Sequence, residues 1–118
     1  MFDWNGRYIP ITERGQPKLT STKIRDLREG MRDITVTGKL IRLEQSKVVK
    51  TKYGTASLTP SLFEDETGAI TLNLWSAQAM LVSAGEKLRL IGCYAHSYGG
   101  RLELNVAESG AIQILKKL

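Results

Sequence analysis

Ile70-Thr71-Leu72-Asn73-Leu74-Trp75 alternates apolar and polar side chains with a period of two, which commits the stretch to a half-buried β-strand. Ile70, Leu72 and Leu74 form the core face. Trp75 therefore falls with Thr71 and Asn73 on the face that a strand normally gives to polar residues. An outward aromatic of this size usually has something to stack on. The pattern returns in Ile91-Gly92-Cys93-Tyr94-Ala95-His96-Ser97-Tyr98, where Ile91, Cys93 and Ala95 are the inward set and Tyr94, His96 and Tyr98 share the outward face. Gly99-Gly100 supplies the positive-φ pair of a tight hairpin, and Arg101-Leu102-Glu103-Leu104-Asn105-Val106 returns with Leu102, Leu104 and Val106 inward. These phases predict one exposed aromatic platform built from Trp75, Tyr94 and Tyr98. The alternative is that the turns keep the rings apart and each is an ordinary strand residue.

A chain of 118 residues, 42% hydrophobic and 25% charged, is expected to be one domain that buries a core without staples. No apolar run approaches the ~18 residues of a membrane span. Arg7, Glu13 and Arg14 interrupt any signal-like apolar stretch. An intracellular protein is expected, in cytoplasm or nucleoid if archaeal and in the nucleus if eukaryotic, with no membrane partner. The single Cys93 excludes an internal disulfide framework and a Cys-rich zinc site, and its phase makes it a core residue. The net charge of +5 is unevenly spread: residues 1–57 carry 12 Lys/Arg against 6 Asp/Glu, and residues 58–118 carry 5 against 6. A basic half beside a half that holds outward aromatics is the composition of a groove for single-stranded nucleic acid.

Taken in order, residues 1–20 show no sustained periodicity and read as an extended N-terminal arm or linker, in which Trp4 is a tail-packing residue or a base-stacking one. Ile24, Leu27 and Met31 are expected to cover one end of the fold. A long first strand from Asp33 to about Val49 loses its phase near Gly38, which predicts a bulge or sharp bend there. The basic hairpin loop Lys47 to Gly54 offers Lys47, Lys50 and Lys52 to phosphates and Tyr53 to a base; a merely solvated turn is the plainer reading. Pro60 makes the second strand, Ala56 to Phe63, irregular, with an edge or bulge expected. Glu64-Asp65-Glu66 reads as a solvated turn, and one that helps mark a face nucleic acid avoids, rather than as a metal site. Ser76 to Ala84 is the one good helix candidate, with Ser76 as N-cap and Ala77, Met80 and Leu81 as its apolar stripe. Five short strands with a short helix between strands 3 and 4 is the layout of an all-β, five-stranded OB-fold barrel over residues 21–118.

Several of these stretches resemble the single-OB-fold single-stranded DNA-binding proteins of archaea and eukaryotes and the DNA-binding domains of replication protein A. Lys23-Ile24-Arg25-Asp26-Leu27-Arg28-Glu29-Gly30-Met31 resembles their "K-x-x-D-L-K-x-G-M" opening, and Lys50-Thr51-Lys52-Tyr53-Gly54 their first basic loop. Asp65 to Trp75 is similar to their "D-x-T-G-x-I-x-L-x-x-W" hairpin, and Tyr94 to Asn105 to their paired aromatics and "L-x-L-N" strand. The resemblance covers residues 23–115. It implies base stacking on Trp75, Tyr94 and Tyr98, and partners among single-stranded DNA or other replication protein A-type subunits. Residues 1–20 have no counterpart in it, and the long C-terminal tail of those proteins is missing.

The expected function is thus sequence-tolerant binding of single-stranded DNA in replication, repair or recombination. Lys47, Lys50, Lys52, Arg42 and Arg101 are the phosphate candidates, and Asn73, His96 and Asn105 are polar groups on the platform face. Binding of single-stranded RNA, or a role as an OB-fold protein–protein scaffold, are the alternatives. Catalysis is not expected: His96 is the only histidine and no acid–base pair or nucleophile accompanies it. No cofactor or metal is implied.

Overall fold

The computed structural model describes residues 21–117. The expectations for residues 1–20, Trp4 included, lie outside the described residues. The strands are β1 (Ile34–Leu43), β2 (Lys47–Thr51), β3 (Gly54–Asp65), β4 (Gly68–Trp75), β5 (Lys87–Tyr98) and β6 (Arg101–Lys116). Two 3₁₀ turns accompany them, η1 (Ile24–Asp26) and η2 (Ser76–Leu81). The sheet order is β1-β5-β6-β4-β3-β2, and an additional β1–β3 pairing closes the ring. All pairings are antiparallel except β4 with β6. This is the expected OB-fold barrel. The predicted first strand is simply divided into β1 and β2, so the helical segment stands between β4 and β5.

That division explains Pro60. β2 pairs with β3 as far as Lys47↔Leu58, and β1 takes over at Leu43↔Ser61. Between them the Glu44 amide donates to the Pro60 carbonyl at 2.8 Å. A residue's N–H and C=O point to the same side of a strand, so the missing donor of Pro60 falls where the neighbouring strand is interrupted. Gly38 has a related reason. β1 leaves β5 and joins β3 at this point, with Lys39 opposite both Lys87 and Glu64. A Cβ on Gly38 would overlap the Glu64 carbonyl and the Phe63 ring. The pairing irregularities themselves fall on either side of it, between Ile34 and Val36 and between Leu40 and Arg42.

The core holds most of the expected inward set, but not Ile91: the pairing slip between Ile91 and Cys93 changes the phase of β5, so that Leu88 and Leu90 face inward before it and Cys93 and Ala95 after it. Val36, Leu40, Phe63, Leu72, Leu74, Leu88, Leu90 and Leu104 are fully enclosed, with Ile24 and Leu27 closing one end. Cys93 is fully buried among them, and burial pushes its thiol up to about 12, which keeps it protonated and unreactive.

Two local expectations are corrected. The segment after Trp75 is a single 3₁₀ stretch, and Ser76 stands at φ +51 rather than capping it. The backbone N–H of Trp75 is instead held by Gln78 Oε1 at 2.8 Å, and Gln78 Nε2 reaches the Val106 carbonyl at 3.2 Å. With three residues per turn the stripe expected for an α-helix is not formed: Met80 is 86% exposed and Leu81 is exposed, while Ala79 and Val82 pack on the core. The acidic turn is more than solvated. Asp65 accepts from the Thr67 hydroxyl and from the backbone N–H groups of Ile24, Thr67 and Gly68. Burial alone would raise its carboxyl, but these bonds outweigh that and hold it below the usual range. Asp65 thus ties η1 to the β3–β4 hairpin, and Glu66 pairs with Lys23 beside it.

Candidate nucleic-acid interface

Register carries the outward residues of four strands into rows across one face. Leu58 of β3 stands beside Trp75 of β4. The next row is Pro60–Asn73–Asn105–Tyr94, and the one after it Leu62–Thr71–Glu103–His96, which Arg42 extends onto β1. Arg101 and Tyr98 form the last pair, at the β5–β6 hairpin. Paired residues point to the same side of a sheet. Trp75, Asn73, Asn105, Tyr94, His96, Tyr98 and Arg101 therefore share one surface, although they come from strands up to 32 residues apart.

The surface has two ends. At the first, Trp75 and Tyr94 line an open groove of about 700 Å³ together with Tyr53, Gln78 and Leu81. Tyr53 is 87% exposed at the tip of the β2–β3 hairpin, with the Lys52 ammonium 5.2 Å from its ring centroid. At the second, Tyr98 is 54% exposed and meets His96 edge-on, with centroids 4.8 Å apart. Tyr94 and Tyr98 are two outward positions apart on β5, or roughly 13 Å at strand rise.

The polar residues between the ends are not free to meet a ligand. Asn73 and Asn105 are 3% and 2% exposed. Asn105 Oδ1 accepts from the Trp75 indole at 2.9 Å, which fixes how the ring lies on the sheet. Asn73 Nδ2 donates to Glu103 Oε1 at 2.9 Å, and Arg101 donates to Glu103 Oε2 through Nε at 3.2 Å and Nη2 at 2.9 Å. The two asparagines therefore position neighbours. Arg101 keeps most of its side chain in solvent while the buried Glu103 carboxylate orients its guanidinium.

Other predicted cations divide between faces. Lys47 stands opposite Leu58, on the Trp75 side, whereas Lys50 stands opposite Thr55 and points the other way. Arg42 is bonded to Glu44 at 2.8 Å and lies beyond β3 from the aromatic rings.

Four residues with a part in this surface were not among the sequence candidates. Glu103 and Gln78 hold Arg101 and Trp75. Glu29 contacts His96 Nδ1 at 3.1 Å and accepts from the Ser97 backbone N–H, and hydrogen bonding to Ser97 with the neighbouring His96 holds its carboxyl below the usual range. Arg32 lines a small cleft with Tyr94 and His96. Burial first, and Tyr98 next, push the Tyr94 phenol up, while the Arg32 charge opposes them. Arg32 is placed there because Gly30 N–H donates to Ala95 O at 3.0 Å and Ala95 N–H to Met31 O at 2.9 Å. Only the outward phase of β5 hinted at this contact. Among the described residues no group of His, Cys, Asp and Glu is arranged to hold a metal, and no helix is long and apolar enough to cross a membrane.

No family model matches the chain. It is 23% identical over 90 residues to the single-stranded DNA binding protein Ssb of Saccharolobus solfataricus, a match that takes in 76% of this chain and 61% of that protein's length. The second OB-fold domain of replication protein A from Methanococcus maripaludis superposes with a TM-score of 0.68 at 24% identity, over 84% of this chain and 98% of that one. A chain of a replication protein A heterotrimer bound to single-stranded DNA gives a TM-score of 0.71 at 18% identity, over 91% of this chain and 27% of that one. The chain is an OB-fold protein whose likeness, in sequence and in architecture, is to the archaeal single-stranded DNA-binding protein and the replication protein A domains.

Proposed function

We propose that this chain binds single-stranded DNA through the face described above, with little sequence preference and without catalysis. The observation that carries the reading is the register itself, which sets Trp75, Tyr94 and Tyr98 on one surface flanked by cationic residues of two hairpins. Bases stack on Trp75, Tyr94 and Tyr98, each worth ~1–3 kcal/mol by truncation. Tyr53 adds a ring at the hairpin tip, and His96 supports Tyr98. Lys47, Lys52 and Arg101 neutralise phosphates along the face and Arg42 serves its margin, while Lys50, on the other side of β2, adds only to the general positive potential, so affinity falls with salt. Asn73 and Asn105 act through their neighbours. Every base has a π-face, so sequence tolerance follows, and duplex binds poorly because its paired bases cannot lie on the rings.

The curated relative is named for single-stranded DNA binding, which supports the substrate class. We extend the proposal to work in DNA replication, repair or recombination inside the cell, beside other subunits of the replication protein A type. The test is tryptophan fluorescence titrated with oligo-dT, matched duplex and matched RNA at two salt concentrations, with Trp75→Ala and Trp4→Phe alongside. Salt-sensitive quenching by oligo-dT that Trp75→Ala abolishes and Trp4→Phe retains is expected. The RNA titration reads the sugar preference. Indifference of the wild type to every single strand would overturn the proposal and leave an OB-fold scaffold in its place.

A further inference from the structure

The β5–β6 ribbon turns a sharp corner. Pairing slips between Ile91 and Cys93, Gly92 stands at φ +76, and a Cβ on it would come within 2.9 Å of Gly110 Cα. A Cβ on Gly110 would in turn overlap the Ile91 carbonyl oxygen. Beyond this corner the outward side chains change character. Lys39 of β1, Lys87 of β5 and Lys116 of β6 stand directly opposite one another in register. Adjacent strands are ~4.8 Å apart, and like charges in directly opposed positions destabilise a sheet. None of the three is ion-paired with another described residue.

These lysines line an open groove of about 830 Å³. Arg89 lines it too, with Nη1 3.3 Å from Gln113 Oε1 and with Nε buried and without a hydrogen-bond partner among the described residues. A guanidinium left incompletely satisfied beside three opposed ammonium groups is a site whose electrostatics favour an anion. Three carboxylates share the groove wall. Glu66 is paired with Lys23, and Asp65 keeps its charge under its neutral donors, so Glu64 and Asp65 stand against Lys39, Lys87, Arg89, Lys116 and Lys117 among the described lining residues. Cations therefore outnumber the carboxylates of the acidic turn along this wall.

We propose that this groove is a second anion site, which takes the phosphodiester backbone of a nucleic-acid strand without reading its bases. No aromatic side chain among the described residues lines it, so the recognition proposed there is of phosphate. Lys87 lies seven residues from Tyr94 on the same strand, at most roughly 23 Å at strand rise and less across the corner. One long strand can therefore occupy the platform and then the groove.

The test separates this site from the platform with a labelled abasic deoxyribose-phosphate strand, which has phosphates but no bases, followed by anisotropy across a salt series. Wild type and Trp75→Ala are expected to bind it alike. The triple variant Lys39→Gln, Lys87→Gln, Lys116→Gln should lose about 2 from the slope of log K against log salt, since each phosphate contact on a single strand contributes about 0.7. The matching triple Lys→Arg variant, which keeps the charges, should retain the slope. A short oligo-dT should report the reverse, weakened by Trp75→Ala and indifferent to the lysine changes. An abasic strand that wild type ignores at low salt, or an unchanged slope in the glutamine variant, would overturn the groove proposal and leave the platform untouched. Failure of oligo-dT alone would strike the platform and spare the groove.

Discussion

The two legs of the β5–β6 ribbon are made of the same two strands, yet they present opposite chemistry. On the hairpin leg the outward positions hold Tyr94, His96, Tyr98, Asn105, Glu103 and Arg101. There the polar groups are bonded to one another beneath the exposed rings. On the terminal leg the outward positions hold Lys87, Arg89, Gln113 and Lys116, whose cations have no described ion-pair partners. The first leg is internally satisfied and offers π-surface; the second is internally unsatisfied and offers charge. A glycine pair at the corner lets one ribbon do both, because the close approach of Gly92 and Gly110 allows the ribbon to bend without a loop.

The largest expected effect comes from breaking the corner itself. Gly110→Val drives a branched side chain into the Ile91 carbonyl and Val106, and should cost about 3 kcal/mol, the upper part of the usual range for overpacking. A fall in the urea midpoint, with oligo-dT and abasic binding lost together, is expected. Unchanged stability would mean that the corner is not the joint between the legs. Next, Trp75→Ala acts on one leg only. It should weaken oligo-dT by ~1–3 kcal/mol, or roughly five- to 150-fold, and leave abasic binding as it was. Equal losses on both probes would merge the two surfaces into one.

Asn105→Ala is milder and sharper. It removes the acceptor of the Trp75 indole, so a loss of about 1 kcal/mol in oligo-dT binding is expected, together with a stability loss of about 1–3 kcal/mol because Asn105 is buried. An affinity equal to wild type would show that the ring keeps its pose without that bond. The smallest effect is on pH dependence. The Glu29 carboxyl is held below its usual range, so its contribution to stability is complete above the usual carboxylate range and is lost as pH falls through the lowered folded value. Thermal melts in the acid range should therefore fall less steeply for Glu29→Gln than for wild type. Parallel curves would remove Glu29 as a support of the His96–Ser97 segment.

Much of this was legible in the residues. Alternation alone put Leu72 and Leu74 inward and Trp75 outward, because the pleat imposes a period of two wherever a strand forms. Gly38 and Pro60 mark where strands change partners, β1 passing from β5 to β3 at Gly38 and β2 giving way to β1 at Pro60, although the pairing irregularities of β1 fall on either side of Gly38. The apolar stripe at Ala77, Met80 and Leu81 misled, since it assumes the turn of an α-helix and the chain forms a 3₁₀ stretch there. Asn73 and Asn105 looked like ligand contacts for a different reason. Their outward phase was read correctly, but phase does not report how deeply a neighbouring ring or guanidinium will cover a side chain.

Facing is a local property, and a single strand's sequence decides it. Depth and adjacency are not local. Lys39, Lys87 and Lys116 become neighbours only because β1, β5 and β6 pair in one particular register. Trp75 meets Asn105 only because β4 and β6 run parallel across the closed ring. Such contacts depend on how one strand slides against another and where the barrel closes, and that balance is struck by the packing of the whole core.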